Sequence, residues 1–302
     1  MQNNYVVIGY GEWAKKIITI NLNINKHFQL MGIFYRTIPK DNFYNSNRNI
    51  FYNNWKIMIN KIKPKIVLIA LPPFLNFEVI NYLRKKKFIF KIFLEKPICS
   101  SNLDLLRYKN LDNQFKKKIF VNYLDIHSKS LQFFLKKKIK FNQIRMQLCG
   151  PSILRKDMNP LLEYLPHFLI FLILKIKNID SYKTFAKKEN LSKNSIKYEI
   201  ILSCLDKRIK MLIGNYSNRK FRNISIINEN DIFKYSDRSN SQLIYKKQNR
   251  KFLIFPREKL LEKTLLFFFN EFLIVKSKKN YNYIDLSIKV NTLIEKIHDN
   301  IK

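Results

Sequence analysis

A glycine-rich turn near the N-terminus constrains the fold of this chain more than any other feature. Tyr5–Ile8 is a short apolar run typical of a buried strand, and the motif G-x-G-x-x-A follows it directly at Gly9–Ala14. From Lys15 onward the apolar residues recur in a helical rhythm. In such a strand–turn–helix unit the first glycine makes the tight turn, the second lets the backbone approach a pyrophosphate, and the small third residue allows close packing. The motif therefore predicts a doubly wound sheet that binds a dinucleotide.

The scarcity of small residues makes this match specific. The 302 residues include only 5 glycines, and two of them stand in this turn. Ala14 is one of only three alanines, the others being Ala70 and Ala186. A chance meeting of three such rare residues at one turn is a poor explanation for the pattern.

The rest of the first half alternates strand and helix signals, which is typical of a parallel sheet. The predicted strands are Leu30–Tyr35, Ile66–Leu71, Phe88–Leu94 and Ile119–Val121, and the predicted helices are Phe77–Leu83 and Leu103–Tyr108.

The second half shows apolar residues at every second position, which indicates antiparallel strands with one polar face. The segments with this pattern are Ile196–Leu202, Met211–Ile213 and Ile224–Ile226. Two helices are expected to follow, one from near Pro256 to Val275 and one capped by Asp285. We therefore predict an α/β protein with an N-terminal Rossmann domain, a doubly wound parallel sheet, over residues 1–121. Residues 122–302 are predicted to form an α+β domain on an open, mostly antiparallel sheet.

A charged tripeptide, Glu95-Lys96-Pro97, ends the fourth predicted strand. A lysine at the carboxyl end of a strand lies where an open α/β sheet binds its ligands, and partial desolvation there suits it to proton transfer or substrate orientation. Pro97 restricts Lys96 to an extended conformation and leaves a cis peptide bond open. Taken alone, the tripeptide is more simply a strand that ends in a solvated charge. The glycine turn upstream favours the functional interpretation.

The formal charge of +35 does not by itself predict a nucleic-acid partner. Lysine outnumbers arginine 45 to 12, and the enriched Lys, Asn, Ile, Phe and Tyr share codons rich in A and T. The lysines are spread along the chain rather than gathered in one patch with stacking aromatics. We expect no specific nucleic-acid binding. A steep salt dependence of DNA or RNA affinity would support that alternative.

Other composition signals point to the cytoplasm. Met1–Asn4 carries no charge and no apolar stretch resembles a secretory signal or a membrane span. Cys99, Cys149 and Cys204 are widely spaced and match no metal-ligand pattern, so we expect neither a disulfide framework nor a metal site.

The cofactor type is indicated by the end of the second strand. NAD-preferring sheets place an acidic residue there, whereas NADP sites place an arginine near the 2′-phosphate. This chain has Arg36 and Thr37, and its first acidic residue is Asp41. The cofactor is NADP or NAD, and Arg36 favours NADP, although in a chain this basic it can be one more surface cation.

Taken together, the motifs resemble the glucose–fructose oxidoreductase/inositol dehydrogenase family, Gfo/Idh/MocA, over nearly the whole chain. They are the turn Gly9–Ala14, the strand end Ile69–Pro73, the segment Leu94–Pro97, the helical segment Glu163–His167, the antiparallel sheet and the two closing helices. The resemblance implies that Lys96 and His167 flank the substrate beside the nicotinamide. It also implies an NAD(P)-dependent dehydrogenase acting on CH–OH groups and a homo-oligomer, a dimer or tetramer, joined through the face of the antiparallel sheet.

His167 is ambiguous without that resemblance, because its neighbours are apolar and a buried histidine is more often a core residue. Glu163 lies one helical turn before it, so a carboxylate–imidazole contact is expected, the alternative being a surface glutamate. Three positions depart from the family pattern, which commonly has histidine at Asn76 and aspartate at both Glu163 and Ile170.

The sequence thus predicts an oxidoreductase that moves hydride between nicotinamide and a carbinol or keto carbon of a sugar, cyclitol or related small polyol. The predicted catalytic residues are Lys96, His167 and Glu163. The predicted cofactor contacts are Gly9, Gly11, Glu12, Trp13, Ala14, Arg36, Thr37, Leu71, Pro72, Asn76, Glu95 and Lys96. Two alternatives stay open: a cofactor-binding member that has lost turnover and acts as a sensor or assembly partner, and a redox-assisted lyase or glycosidase. The sequence leaves the substrate and the direction of reaction undecided.

Overall fold

The chain divides into two compact units, each built on its own sheet. The computed structural model describes residues 3–89, 91–136, 141–151, 160–176, 178–228, 232–236, 241–246, 251–256, 258–273 and 282–301. The first unit comprises Met1–Leu124 and Leu260–Ile288, and the second comprises Asp125–Lys259 and Lys289–Lys302. The predicted domain division between residues 121 and 122 stays a prediction.

The first unit is built on a six-stranded sheet in which every neighbouring pair is parallel. Along the sheet the strands follow the order β3-β2-β1-β4-β5-β6. They are β1 (Asn3–Ile8), β2 (Phe28–Phe34), β3 (Phe51–Tyr52), β4 (Ile66–Ile69), β5 (Lys91–Glu95) and β6 (Ile119–Asn122). The helices between them are α1 (Glu12–Ile24), α2 (Asn42–Ser46), α3 (Trp55–Ile62), α4 (Pro73–Arg84), α5 (Asn102–Lys109) and α6 (Asn113–Lys116), with a 3-10 turn at Arg48–Ile50. The predicted doubly wound parallel sheet is confirmed, and its strand order reverses between β1 and β4.

Two predicted boundaries in the first unit differ from the structure by three or four residues, for local physical reasons. The strand predicted from Phe88 begins at Lys91, because its neighbours β4 and β6 are only four residues long and offer backbone partners from Lys91 onward. Phe90, which belonged to the predicted run, lies outside the described residues. Helix α4 begins at Pro73 rather than Phe77, since proline suits the first helical turn, where no intrahelical N–H bond is needed.

A segment distant in sequence completes the first unit. Helix α9 (Leu260–Phe267) continues into a π-helical turn at Phe268–Phe272. The Phe268 ring is fully buried, and its centroid lies 5.2 Å from that of Phe93 on β5 and 5.5 Å from that of Phe120 on β6. Apolar and aromatic burial of this kind accounts for its association with the parallel sheet.

Helix α10 (Tyr283–His298) begins with a different cap from the predicted one. The Asn282 side chain, not that of Asp285, accepts a hydrogen bond from the helix backbone, at 3.4 Å from the Asp285 N–H. The Asp285 carboxylate in turn accepts from the Asn282 amide. Asparagine is a strong cap residue, and an acid in the first turn interacts favourably with the helix dipole.

The second unit contains an eight-stranded sheet in the order β14-β13-β12-β11-β7-β10-β9-β8. All neighbouring pairs are antiparallel except β7 and β10, so the predicted mostly antiparallel sheet is confirmed. The strands are β7 (Gln143–Cys149), β8 (Lys183–Ser192), β9 (Ser195–Cys204), β10 (Lys207–Gly214), β11 (Phe221–Ile227), β12 (Ile232–Ser236), β13 (Ser241–Lys246) and β14 (Lys251–Pro256). The remaining elements are α7 (Lys129–Lys136), α8 (Pro160–Lys175) and 3-10 turns at Leu124–His127 and Ile179–Ser181.

Helix α8 is apolar around most of its circumference and contacts β7 and β10. The apolar face of the sheet includes Ile209, Met211 and Ile213, which are fully buried. Within the described ranges, no helix combines the length and hydropathy needed to cross a membrane. All three cysteines belong to those ranges, and none forms a disulfide bond.

Candidate functional site

Gly9 lies where the ends of three neighbouring strands meet. Its N–H donates to the Phe34 carbonyl of β2 at 3.2 Å, and the Ala70 N–H after β4 donates to Ile8 of β1 at 3.0 Å. Gly9 has φ +118°, and a Cβ there would lie 2.4 Å from the Ala70 carbonyl oxygen. Both the backbone angle and the crowding therefore require glycine at this position.

Gly11 differs, because none of the residues that the structure describes requires a glycine there. Its backbone is extended, with φ −74° and ψ 174°, and a Cβ would meet no atom within 4 Å. Gly11 is the N-cap of α1, and no side chain caps that helix. The first N–H groups of α1 thus have no capping side chain, and the positive end of the helix dipole lies beside them. This arrangement fits a bound pyrophosphate, which approaches such a turn closely.

Glu95 links the ends of two strands to the start of α1. Its side chain accepts a hydrogen bond from Asn122 Nδ2 on β6 at 2.5 Å and another from the Trp13 side chain. Glu95 is only 8 % exposed, and burial raises the pKa of its carboxyl against the opposing effects of Asn122, Trp13 and the Lys96 charge. Glu95 and Trp13 thus have framework contacts here, and their direct contact with a cofactor stays a prediction.

The loop after Lys96 is held from α4. The Lys96–Pro97 peptide bond is cis, as the sequence allowed, and Lys96 is half-buried. The Asn76 side chain is 1 % exposed and donates from Nδ2 to the carbonyls of Pro97, at 3.4 Å, and Ile98, at 3.3 Å. Asn76 therefore supports the loop that carries Lys96. Leu71 and Pro72, also half-buried, precede the same helix at the carboxyl end of β4.

The acid nearest the end of β2 is already engaged by the protein. Asp41 caps α2 by accepting from the Tyr44 N–H at 2.9 Å, accepts from the Tyr10 hydroxyl at 3.0 Å, and pairs with Lys15 at 3.1 Å. The backbone hydrogen bond is the main cause that lowers the pKa of Asp41. Arg36 has no ion-pair partner among the residues that the structure describes.

The remaining residues predicted to contact the cofactor are either exposed or packed inside the turn. Arg36 and Thr37 are exposed. Glu12 is also exposed and pairs with Lys15 at 3.1 Å, whereas Ala14 is 1 % exposed and packs inside the unit. All of the predicted cofactor residues thus belong to the first unit, close to the carboxyl ends of its strands.

A buried cluster of three charged or polar groups stands in the second unit. His167 Nδ1 lies 2.5 Å from Asp125 Oδ2, and Arg222 donates to Asp125 Oδ1. The exposed fractions are 9 % for His167, 2 % for Asp125 and 8 % for Arg222. Burial alone would raise the pKa of Asp125, but the Arg222 guanidinium and His167 outweigh it and hold that pKa well below its usual range.

Three separate elements bring this cluster together. Asp125 lies in the 3-10 turn Leu124–His127, Arg222 is the second residue of β11, and His167 follows Pro166 within α8. His167 was predicted from the sequence as a site residue, whereas Asp125, Arg222 and Asn122 were not. One signal for Asp125 was available, since it follows the predicted strand Ile119–Val121 by only a few residues, as Lys96 follows its own strand.

The two other departures from the family pattern have different surroundings. Ile170 is fully buried in α8, so no polar group stands at that position. Glu163 is half-buried one turn before His167. The carboxylate that bonds His167 Nδ1 belongs to Asp125, and the predicted contact of Glu163 with the imidazole stays a prediction.

Residues 3–123 match the GFO_IDH_MocA family, described as an oxidoreductase family with an NAD-binding Rossmann fold. No curated protein matches the chain in sequence. Several solved structures share the fold. The 3-ketoreductase KijD10 from Actinomadura kijaniata, solved with NADP, has a TM-score of 0.80 and 12% identity, over 100% of this chain and 98% of that one.

Two further structures are similarly close. The UDP-N-acetylglucosamine 3-dehydrogenase GnnA from Acidithiobacillus ferrooxidans has a TM-score of 0.79 and 12% identity, over 99% of this chain and 97% of that one. A dehydrogenase (MviM) from Clostridium difficile has a TM-score of 0.76 and 16% identity, over 99% of both chains. At these identities the structures establish the fold, and the matched N-terminal residues carry the family. The N-terminal residues 3–123 thus match the Gfo/Idh/MocA oxidoreductase family, which the motifs of the chain resemble.

Proposed function

We propose that this protein is an NADP-dependent oxidoreductase that transfers hydride reversibly between the nicotinamide and a carbinol or keto carbon of a sugar, cyclitol or related small polyol. The observation that carries the proposal is the contrast within the glycine turn. Gly9 is required by the fold, whereas Gly11 leaves open space before an uncapped helix N-terminus. A glycine without an internal reason is accounted for by the close approach of a ligand.

In this proposal, different residues of the chain bind different parts of the cofactor. The first N–H groups of α1, at Gly11–Ala14, bind the pyrophosphate. Arg36 and Thr37 bind the 2′-phosphate, because Asp41 is occupied with its cap and its ion pair. The bound dinucleotide supplies the hydride chemistry, and the protein supplies orientation and proton transfer.

Lys96 and His167 manage the substrate oxygen. The Lys96 ammonium donates a hydrogen bond to that oxygen and orients it. Lys96 directly follows β5, so its backbone is held at the carboxyl end of that strand. His167 accepts the hydroxyl proton when the carbinol is oxidised and returns it when the ketone is reduced.

The names of the structural neighbours suggest the first substrates to test. One is a UDP-N-acetylglucosamine 3-dehydrogenase, and another is a 3-ketoreductase solved with TDP-benzene and NADP. A sugar linked to a nucleotide diphosphate is anionic, and a chain with a net charge of +35 attracts anions. We therefore propose nucleotide-linked sugars as the leading substrate class.

A turnover assay tests the proposal with matched controls. Purified protein is incubated with NADP and a panel of nucleotide-linked sugars, free sugars and cyclitols, and NADPH formation is followed. We expect Lys96→Ala and His167→Gln each to lower kcat by roughly 10²–10⁴-fold on the active substrate. The exposed controls Lys26→Ala and His298→Gln should retain wild-type rates. Equal rates in all four variants would contradict the roles given to Lys96 and His167.

One observation favours a second candidate, a member that binds cofactor without turnover. Ile170 is fully buried and apolar where the family commonly has an aspartate. This candidate predicts that the protein binds NADPH but transfers hydride to or from no member of the panel. Lys96→Ala and His167→Gln would then change only the stability of the protein. Product analysis in the same assay separates simple oxidation from a redox-assisted lyase or glycosidase, which would release a cleaved fragment.

A further inference from the structure

We infer that Asp125 and Arg222 are positioning residues that fix the proton of His167 on Nδ1 and leave Nε2 as the nitrogen that exchanges a proton with substrate. The statement about the tautomer stands on the buried cluster alone. Its catalytic use rests on the proposed function of His167.

The hydrogen-bonding capacity of Asp125 determines the tautomer. An ionised carboxylate only accepts hydrogen bonds, and Asp125 Oδ2 lies 2.5 Å from His167 Nδ1. Nδ1 must therefore carry the proton of that bond. In a neutral imidazole the lone pair then stands on Nε2, which makes Nε2 the atom that can accept a proton.

Arg222 keeps the carboxylate in the state that this tautomer requires. Its guanidinium donates to Oδ1, so each oxygen of Asp125 has its own donor. Arg222 and Asp125 are 8 % and 2 % exposed, which leaves little access for water to compete. A carboxylate that stays ionised can also stabilise the imidazolium formed after Nε2 takes up a proton.

Arg222 also makes Asp125→Asn an informative variant. The guanidinium offers only donors, so it favours the amide oxygen of the new asparagine on its own side. The amide NH₂ then faces His167 and donates to Nδ1. The variant is therefore expected to move the imidazole proton from Nδ1 to Nε2 and to remove the base.

Nitrogen NMR of the imidazole rings tests the inference without any substrate. The chain has only 4 histidines, so the His167 signals can be assigned by comparison with His167→Gln. In the wild-type protein at a pH where the ring is neutral, we expect a protonated Nδ1 and an unprotonated Nε2. In Asp125→Asn we expect the reverse. Asp206→Asn, the same substitution at an exposed turn of the same unit, should leave the His167 spectrum unchanged.

Turnover then tests the catalytic use. Asp125→Asn should lower kcat by roughly 10²–10⁴-fold while its affinity for NADPH stays at the wild-type value. A wild-type His167 protonated on Nε2 would overturn the inference, and this measurement needs no variant to fold. A reversed tautomer with wild-type kcat would overturn the positioning role. If the wild-type protein turns over no substrate, the proposed function fails, while the tautomer measurement still decides the inference.

Discussion

At the scale of single residues, the buried cluster of Asp125, His167 and Arg222 is the main electrostatic feature among the described residues of the second unit. Asp125, His167 and Arg222 are each at most 9 % exposed, and the carboxylate bonds to both partners. Removing one member of a buried charged group leaves the others uncompensated, at a cost of about 3–5 kcal/mol. The cluster therefore couples the fold of this unit to the protonation of one carboxylate.

The cluster predicts a specific dependence of stability on pH. The folded pKa of Asp125 lies below its unfolded value of about 3.9, so its stabilising contribution is full above that value and is lost as the pH falls through the folded pKa. The transition is best followed from about pH 5 to about pH 3, one unit on either side of the unfolded pKa. Over this range we expect the free energy of unfolding in urea to fall less steeply in Asp125→Asn than in the wild type. Asp206→Asn should keep the wild-type slope. Parallel curves for all three proteins would contradict this account of Asp125.

Individual site residues could be predicted from sequence only where local chain geometry marks them. Gly9 and Lys96 stand at the ends of apolar strands, and their types are unusual there. Asp125 and Arg222 are 97 positions apart, and their contact arises from packing that no local pattern records. Arg222 is also one of many cations in this chain, so its burial could not be recognised from its type.

At the scale of elements, the β1–turn–α1 unit is the part whose chemistry follows most directly from its sequence. The motif contains two glycines, and the structure shows a different reason for glycine at each position. Gly9 satisfies a backbone angle and a close contact with Ala70, whereas Gly11 leaves space at the helix N-terminus.

This difference predicts that two matched substitutions affect different properties, Gly9→Ala the stability and Gly11→Ala the affinity for NADPH. Gly9→Ala should lower the free energy of unfolding by about 1–3 kcal/mol from its backbone conformation alone, and by more once the clash with Ala70 is included. Gly11→Ala should change stability by less than about 1 kcal/mol, as expected for a cap position. It should nevertheless weaken NADPH binding at least about tenfold, because the new methyl group occupies the path of the pyrophosphate. Urea denaturation and fluorescence titration of both variants measure the two effects. A Gly11→Ala protein with wild-type affinity would contradict the role given to this turn.

Other elements show where sequence periodicity stops being informative. The fully apolar strand β4 was recognisable, because buried parallel strands form continuous apolar runs. The central strand β7 alternates Gln143, Arg145 and Gln147 with apolar residues, yet it was not recognised, because a short polar-faced run in a basic chain resembles a surface segment. The start of β5 was set by the length of its neighbours, which is a property of the sheet rather than of the strand.

At the scale of the whole molecule, the grouping of the last helices was not predictable from sequence order. Residues Leu260–Ile288 belong to the first unit, although the chain passes through most of the second before reaching them. The run Leu265–Phe269 is continuously apolar, so its sequence indicates burial without indicating the partner. The burial partners, Phe93 and Phe120, lie on the parallel sheet.

The predicted homo-oligomer can be tested through the charge of the eight-stranded sheet. Its polar face has a concavity of about 720 Å³, and four of the residues that line it are cations: Arg145, Arg208, Lys210 and Lys234. If two copies associate through this face, like charges approach one another. Salt screens such repulsion, with a Debye length of about 10 Å at 0.1 M.

We therefore predict that the dimer dissociation constant, measured by analytical ultracentrifugation, decreases as NaCl is raised from low to high concentration. Arg145→Gln should strengthen association at low salt by removing one repelling cation, whereas Lys26→Gln, an exposed substitution in the other unit, should not. Dissociation of the dimer by added salt would instead assign the contact to a different surface.

The most direct test of the central proposal is titration of the purified protein with NADPH and with NADH, followed by the change in nicotinamide fluorescence. We expect saturable binding of NADPH at sub-millimolar concentration and weaker binding of NADH, with Arg36→Ala reducing the difference between the two affinities. Absence of binding by both nucleotides at sub-millimolar concentration would contradict the assignment of this chain as a dinucleotide-dependent oxidoreductase.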